Sequence, residues 1–200
     1  MKRCWFLVLL CTGCSLLQAQ SADNKDSLVQ IIKMAKADTG KVNSLLALGD
    51  LLENNEPEQA ILYNRQAAEL SQRLNYEKGI ISSCRNLAYV LTQQSKYDSM
   101  LYYSKLVYDM AEKKQDVYNM GISLFNMGEG YKFLGDYEKS IDHTFRAIKI
   151  LEGKGYTTIE PNLYSGLQST YYKLKQYEKS VEYGIKGIEL ARAYETKGDL

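Results

Sequence analysis

The sequence contains little of what most enzyme sites and nucleic-acid-binding surfaces require. It has one histidine, His143, and 25 basic against 24 acidic residues, for a formal net charge of +1. Neutralising several phosphates needs a concentrated excess of Lys and Arg, so this balance argues against a nucleic-acid partner. A single histidine without a second ligand argues against a metal or acid–base site. We therefore predict a non-enzymatic protein without metal or cofactor.

Residues 1–20 are typical of an export signal. Lys2 and Arg3 precede an apolar stretch from Trp5 to Leu17, which is too short for a membrane span. Two processing routes remain open: cleavage after Ala19, or lipidation of Cys14, because Cys11-Thr12-Gly13-Cys14 resembles a bacterial lipobox. Both predict an exported, periplasmic protein. Membrane attachment would come only from a lipid at Cys14 or from sequence beyond Leu200.

Proline and cysteine are also scarce. Only two prolines occur, which favours helix. Processing of the signal removes Cys4 and Cys11 and removes or lipidates Cys14, so Cys84 is left without a partner for an intramolecular disulfide. We expect Cys84 to be a buried apolar residue rather than a nucleophile. Packing alone must then hold the fold.

A pattern that recurs every 40 residues dominates the rest of the chain. Tyr137-Glu138-Lys139-Ser140 returns as Tyr177-Glu178-Lys179-Ser180, and the corresponding earlier positions begin at Tyr97 and Pro57. Within each unit, apolar residues recur at the i, i+3, i+7 spacing of one helical face. In the third unit this face consists of Leu124, Met127, Gly128 and Tyr131. A fixed period of this size predicts stacked helical repeats.

The period divides the chain into a cap and four units. Residues 21–40 form a linker and an N-terminal capping helix, with Gly40 as its stop. The repeat units are 41–80, 81–120, 121–160 and 161–200, and the last includes the start of the next connection, because residues 191–200 match earlier inter-repeat segments. The predicted fold class is all-α, a right-handed α-solenoid of stacked antiparallel helix pairs.

The arrangement Met127-Gly128-x-x-Tyr131, followed by Tyr137-x-x-Ser140 and Ala147, resembles the tetratricopeptide repeat (TPR) in a variety of about 40 residues. The resemblance covers approximately residues 41–193. HEAT-type repeats share the period but not this spacing, and they are the alternative. The resemblance implies a scaffold that binds a protein or peptide on the concave face lined by the first helix of each unit.

A second resemblance concerns the order of the segments. An export signal, one amphipathic helix and 40-residue units resemble the periplasmic regions of bacterial sensor histidine kinases and membrane-linked transcription regulators, especially in Bacteroidetes-like organisms. On this alternative the chain is the N-terminal, sensory input part of such a protein, with further repeats and a membrane span after Leu200.

The candidate partner-binding residues are those first-helix residues that point away from the packing face. They are Arg85, Asn86 and Tyr89 in the second unit, Asn126, Glu129 and Lys132 in the third, and Ser169, Tyr172 and Lys173 in the fourth. The set suits an extended peptide, because amides bond a peptide backbone while tyrosine supplies apolar contact. Arg85 and Asn126 are the only suggestive members of a site for a terminal carboxylate. The competing interpretation is an ordinary solvated surface.

Overall fold

The computed structural model describes residues 24–198, with side chains through residue 196, and all regular structure in this range is helical. The predicted export signal, including Cys14 and Ala19, lies outside the described residues. Helix α1 covers residues 24–34. The helices that follow are α2 (Thr39–Leu52), α3 (Pro57–Arg73), α4 (Glu77–Gln93), α5 (Tyr97–Lys114), α6 (Val117–Phe133), α7 (Tyr137–Leu151), α8 (Glu160–Lys173) and α9 (Tyr177–Gly198). In the described range, no helix combines the length and the apolar character that crossing a membrane would require.

The chain forms two compact units that meet in sequence between Val90 and Leu91, within α4. In the first unit, α2 packs against α3. Val42 and Leu45 contact Ala67 and Leu70 in a small core, and Ile32 of α1 packs against it. Removing these apolar side chains from water stabilises the unit by roughly 25 cal/mol per Å².

The second unit has a larger core, in which α6, α7 and α8 each contribute buried side chains. Leu124 and Met127 come from α6, Ile148 from α7, and Leu163 and Leu167 from α8. Helices adjacent in sequence pack as antiparallel neighbours, and α6 also contacts α8 directly. First helices of successive repeats therefore lie side by side in this unit.

Left-handed turn residues recur with the sequence period. Ser95 (φ 56°), Gly135 (φ 82°) and Lys175 (φ 59°) end the first helices, and Asn75 (φ 51°) and Gln115 (φ 54°) end the second helices. After α6, Asp136 N donates to Tyr131 O over 2.9 Å and Gly135 N donates to Lys132 O over 3.1 Å. This is the Schellman pattern, which satisfies the last carbonyls of a helix.

Gly49 and Gly128 occupy equivalent positions in the first helices of units one and three, and close helix approach explains why both are glycine. A Cβ added to Gly49 would lie 2.5 Å from Asn64 Nδ2, and one added to Gly128 would lie 2.6 Å from Thr144 Oγ1 and 3.1 Å from Ser140 O. Both glycines therefore allow the first and second helices of a pair to cross at short distance.

The predicted inward faces are confirmed, because Leu87 is 0%, Met127 6% and Leu167 0% exposed. Two local expectations are wrong. Gly40 does not stop a helix: Asp38 caps α2 by accepting from Lys41 N over 2.9 Å, so Gly40 lies in the first turn of α2. Residues 191–198, expected to resemble an inter-repeat turn, continue α9 as helix.

Candidate functional site

A fixed polar cluster joins α6 and α8 in the second unit. Lys132 Nζ donates to Glu129 Oε1 and Oε2 over 2.7 and 2.6 Å and to Ser169 Oγ over 2.9 Å. The Lys132 side chain is only 11% exposed and that of Glu129 25%, so water screens this ion pair less than a surface pair. Three predicted residues thus meet in one network. We call the surface formed by Asn126, Glu129, Lys132, Ser169, Tyr172 and Lys173 the α6–α8 face.

The backbone of α8 lies close to two side chains of α6 beneath this cluster. A Cβ at Gly166 would lie 2.8 Å from the Phe125 ring and 3.3 Å from Glu129 Oε1. Glycine at this position therefore lets the Glu129 carboxylate lie against α8, within reach of the Lys132 and Ser169 contacts. Neither Phe125 nor Gly166 is among the residues predicted for the site from spacing.

The other predicted residues of the α6–α8 face are not part of that network. Asn126 is half-buried on α6, and its side-chain amide has no hydrogen-bond partner among the described residues. Tyr172 is 59% exposed and contacts the Tyr177 ring edge-on at 5.8 Å. Lys173 is exposed at the end of α8. The face thus offers one free amide, one exposed aromatic ring and one exposed cation beside a neutralised ion pair.

In the first unit, Asn86 of α4 connects to α2 and α3. Its Nδ2 donates to Asp50 Oδ1 over 2.5 Å and to Asn64 Oδ1 over 3.2 Å. Burial raises the pKa of Asp50. The Asn64 side chain is fully buried and donates to Ala60 O over 3.0 Å. The hydrogen bonds to Asp50 and Asn64 therefore fix the position of the Asn86 side chain, which stays partly exposed.

Arg85 and Tyr89 lie on exposed positions of α4, with Tyr89 47% exposed, and both make contacts within the described part of the chain. Arg85 belongs to the first unit and Asn126 to the second, so the suggested pair for a terminal carboxylate is divided between the units.

Sequence reasoning missed Asp50, although a signal for it existed. The column that contains Tyr89, Glu129 and Ser169 is occupied by Asp50 in the first repeat once its one-residue offset is applied. Asp50 therefore belongs with the candidate residues of the first unit.

Cys84 and His143 are the residues most suited to catalysis, and both are held by the packing of the fold. Burial raises the pKa of the Cys84 thiol to about 11, so little thiolate forms near neutral pH. A ring nitrogen of His143, Nδ1, lies 2.9 Å from Lys139 O, and the ring packs at 5.1 Å from Tyr131. Tyr183 and Tyr171 form the equivalent contact one repeat later, at 5.3 Å, so His143 occupies an aromatic position. Within residues 24–198, no group of three or more His, Cys, Asp or Glu side chains is placed to hold a metal ion.

Comparison with known proteins defines the class of fold. No protein-family model matches the sequence. Response regulator aspartate phosphatase A of Bacillus subtilis is 25% identical over 104 residues, which are 49% of this chain and 27% of that protein. A Rap protein complexed with Competence and Sporulation Factor superposes with a TM-score of 0.75 at 18% identity, over 92% of this chain and 52% of the other.

The TPR-like repeats of a putative kinesin light chain from Podosopora anserina superpose with a TM-score of 0.69 at 13% identity, over 91% of this chain and 90% of the other. The fold is therefore that of TPR-like helical repeat proteins, as predicted. The chain spans 27% of the curated relative and 52% of the Rap protein, and at these identities the structural likeness shows the fold alone.

Proposed function

We propose that this chain is a non-enzymatic scaffold that binds a protein or peptide partner through the first helices of its repeats. The observation that carries the proposal is the α6–α8 face. There Lys132 is fixed by Glu129 and Ser169 next to the unpartnered Asn126 amide and the exposed Tyr172 ring.

These groups match the needs of an extended peptide. The Asn126 amide offers both a donor and an acceptor, which is what a peptide backbone requires. Tyr172 offers a large, rigid apolar surface with few rotatable bonds. Because both side chains project from packed helices, little ordering entropy is lost on binding.

The first unit contributes a second candidate surface for the same activity. Asn86 is held by Asp50 and Asn64, and Arg85 and Tyr89 lie beside it on α4. The Rap protein complexed with Competence and Sporulation Factor supports the proposal, because it has this fold and was solved with a bound factor. The absence of catalytic activity is proposed because His143 and Cys84 are committed to packing and hydrogen bonding.

Selection of peptides tests the proposal. A display library of random 12-mers is selected on the 200-residue chain, and the affinities of enriched peptides are measured by fluorescence anisotropy. We expect Asn126→Ala with Tyr172→Ala to weaken binding by about tenfold, since each residue loses a direct contact, while the melting temperature stays unchanged.

The matched control is Gln66→Ala with Tyr102→Ala, which removes an exposed amide and an exposed tyrosine from α3 and α5. We expect this control to bind like the parent chain. Equal affinities for both double variants would place the binding site elsewhere, and a library without enriched peptides would count against peptide binding itself.

We also propose that the protein is exported to the periplasm, on the evidence of residues 1–20 alone. Mass spectrometry of the chain from a bacterial membrane and periplasmic fraction distinguishes the two routes, a mature terminus after Ala19 or a lipidated Cys14. Recovery of the intact Met1 terminus would contradict export. The sensory input alternative rests on resemblance and stays a prediction, tested by reading the parent gene for a membrane span and a signalling domain.

A further inference from the structure

An open cleft of about 570 Å³ lies in the second unit between the end of α5, the start of α6 and the end of α7. This volume falls within the range of about 300–1,000 Å³ that is usual for small-molecule sites. The cleft involves none of the residues of the α6–α8 face. It is therefore a separate place at which a ligand could bind.

The floor of the cleft is apolar. Val117 of α6 is 37% exposed, and Met120 and Ile150 are half-buried beside it. Contact with an aliphatic chain would remove these side chains from water, which favours binding in proportion to the apolar area covered.

The rim of the cleft carries two cations and one acid. The ammonium groups of Lys149 and Lys154 have no ion pair or hydrogen bond with any described residue. The single acid, Glu112, already accepts a hydrogen bond from Tyr108 OH over 2.9 Å. With two lysines and one glutamate, the rim carries a net positive charge of one.

From this arrangement we infer that the cleft binds an amphipathic carboxylate, with an aliphatic chain on Val117, Met120 and Ile150 and the anionic head near Lys149 and Lys154. The two lysines select against neutral ligands with the same chain, and the apolar floor selects against small inorganic anions. Neither feature depends on the proposed partner-binding face.

Methyl NMR of the methionines tests the site. The 200-residue chain is labelled at the methionine methyl carbons, and octanoate or 1-octanol is titrated in. Met120 lies in the cleft, whereas Met100 is 1% exposed and Met34 is 85% exposed. We expect the Met120 signal to shift and saturate with octanoate, with a dissociation constant at least about fivefold lower than for 1-octanol, because only the carboxylate pairs with the lysines.

Charge variants complete the test. Lys149→Gln with Lys154→Gln should weaken octanoate binding by about fivefold, since two exposed ion pairs are lost. The control, Lys33→Gln with Lys36→Gln, removes the same charge from exposed positions outside the cleft and should have no effect. An unmoved Met120 signal, equal affinity for 1-octanol, or parallel unsaturated shifts of Met34 and Met120 would overturn the proposal.

Discussion

At the scale of single residues, a buried carboxylate organises the connection between α7 and α8. Glu160 is 1% exposed; its Oε1 accepts from Tyr156 N over 2.9 Å, and its Oε2 accepts from Gly153 N over 3.0 Å and Tyr194 OH over 2.5 Å. Burial on its own raises the pKa of Glu160, but the hydrogen bonds from Tyr194, Gly153 and Tyr156 outweigh it and lower the pKa from its ordinary 4.5. The same contact raises the pKa of Tyr194 to about 12.

We expect Glu160→Gln to lower the free energy of unfolding by about 2 kcal/mol at pH 7, because bonds to a charged acceptor become bonds to a neutral amide. A carboxyl group with a lowered pKa in the folded state stabilises the fold above its unfolded pKa and loses this contribution as pH falls through the folded value. The difference between parent and variant should therefore shrink below about pH 4. Urea unfolding at several pH values measures it.

Glu189→Gln provides the control, because Glu189 is an exposed glutamate on α9 and loses the same charge. Surface changes of this kind usually alter stability by less than about 0.5 kcal/mol. A Glu160→Gln variant as stable as this control would mean that the three hydrogen bonds contribute nothing net.

The sequence predicted the burial of some residues but not of others. The inward positions of the first helices followed from spacing, and Leu124 and Leu167 are both fully buried. Glu160 could not be identified, because a glutamate in the first turn of a helix usually faces water. Its burial depends on the fold of the irregular residues 152–159, which no periodic pattern determines.

At the scale of helices, the sequence period predicted where second helices begin. Helices α3, α5, α7 and α9 start at Pro57, Tyr97, Tyr137 and Tyr177, each 40 residues apart. The same period failed at residues 191–198, which remain helical. Asn75 and Gln115 adopt left-handed turns at the equivalent positions of earlier units. On α9 the equivalent residue is Glu195, where the helix continues, and its neighbour Tyr194 donates a hydrogen bond to Glu160.

Helices α7 and α9 carry isoleucine at equivalent positions, Ile148 and Ile188, but the two side chains differ in burial. Ile148 of α7 is 7% exposed in the core that α8 completes, whereas Ile188, one period later on α9, is 55% exposed. We expect Ile148→Ala to cost about 3 kcal/mol, since it leaves a cavity, and Ile188→Ala to cost less than about 1 kcal/mol. Urea denaturation of both variants measures the pair.

The two substitutions are chemically identical and both lie within helices, so helix propensity cancels between them. If both substitutions lower the free energy of unfolding by about 3 kcal/mol, Ile188 is covered in solution. If both lower it by less than about 1 kcal/mol, the core around Ile148 relaxes to fill the space.

At the scale of the whole molecule, the candidate site was only partly accessible to sequence reasoning. Spacing selected Glu129, Lys132 and Ser169, and the i,i+3 separation of Glu129 and Lys132 on α6 already allows their ion pair. It could not predict that Lys132 also reaches Ser169, because that contact depends on the register between α6 and α8. Contacts between side chains of different helices depend on how the helices pack, which the spacing within one helix does not determine.

Cys84 is the one cysteine among the residues that the structure describes, and its thiol is free, so its alkylation can report opening of the first unit. It is 1% exposed, and burial raises its pKa to about 11. Iodoacetamide reacts with the thiolate, so at pH 8 we expect Cys84 of the native chain to react at least about 100-fold more slowly than in 6 M urea, where an unfolded cysteine has a pKa of about 8.5.

The measurement uses a chain with Cys4→Ser, Cys11→Ser and Cys14→Ser, so that the alkylation followed by mass spectrometry belongs to Cys84 alone. Labelling should rise with urea in proportion to the open population, because stability in a repeat protein is lost in cooperative segments. Labelling in buffer at the rate found in 6 M urea would show that α4 does not stay packed on its neighbours. The first unit would then need a partner to remain folded.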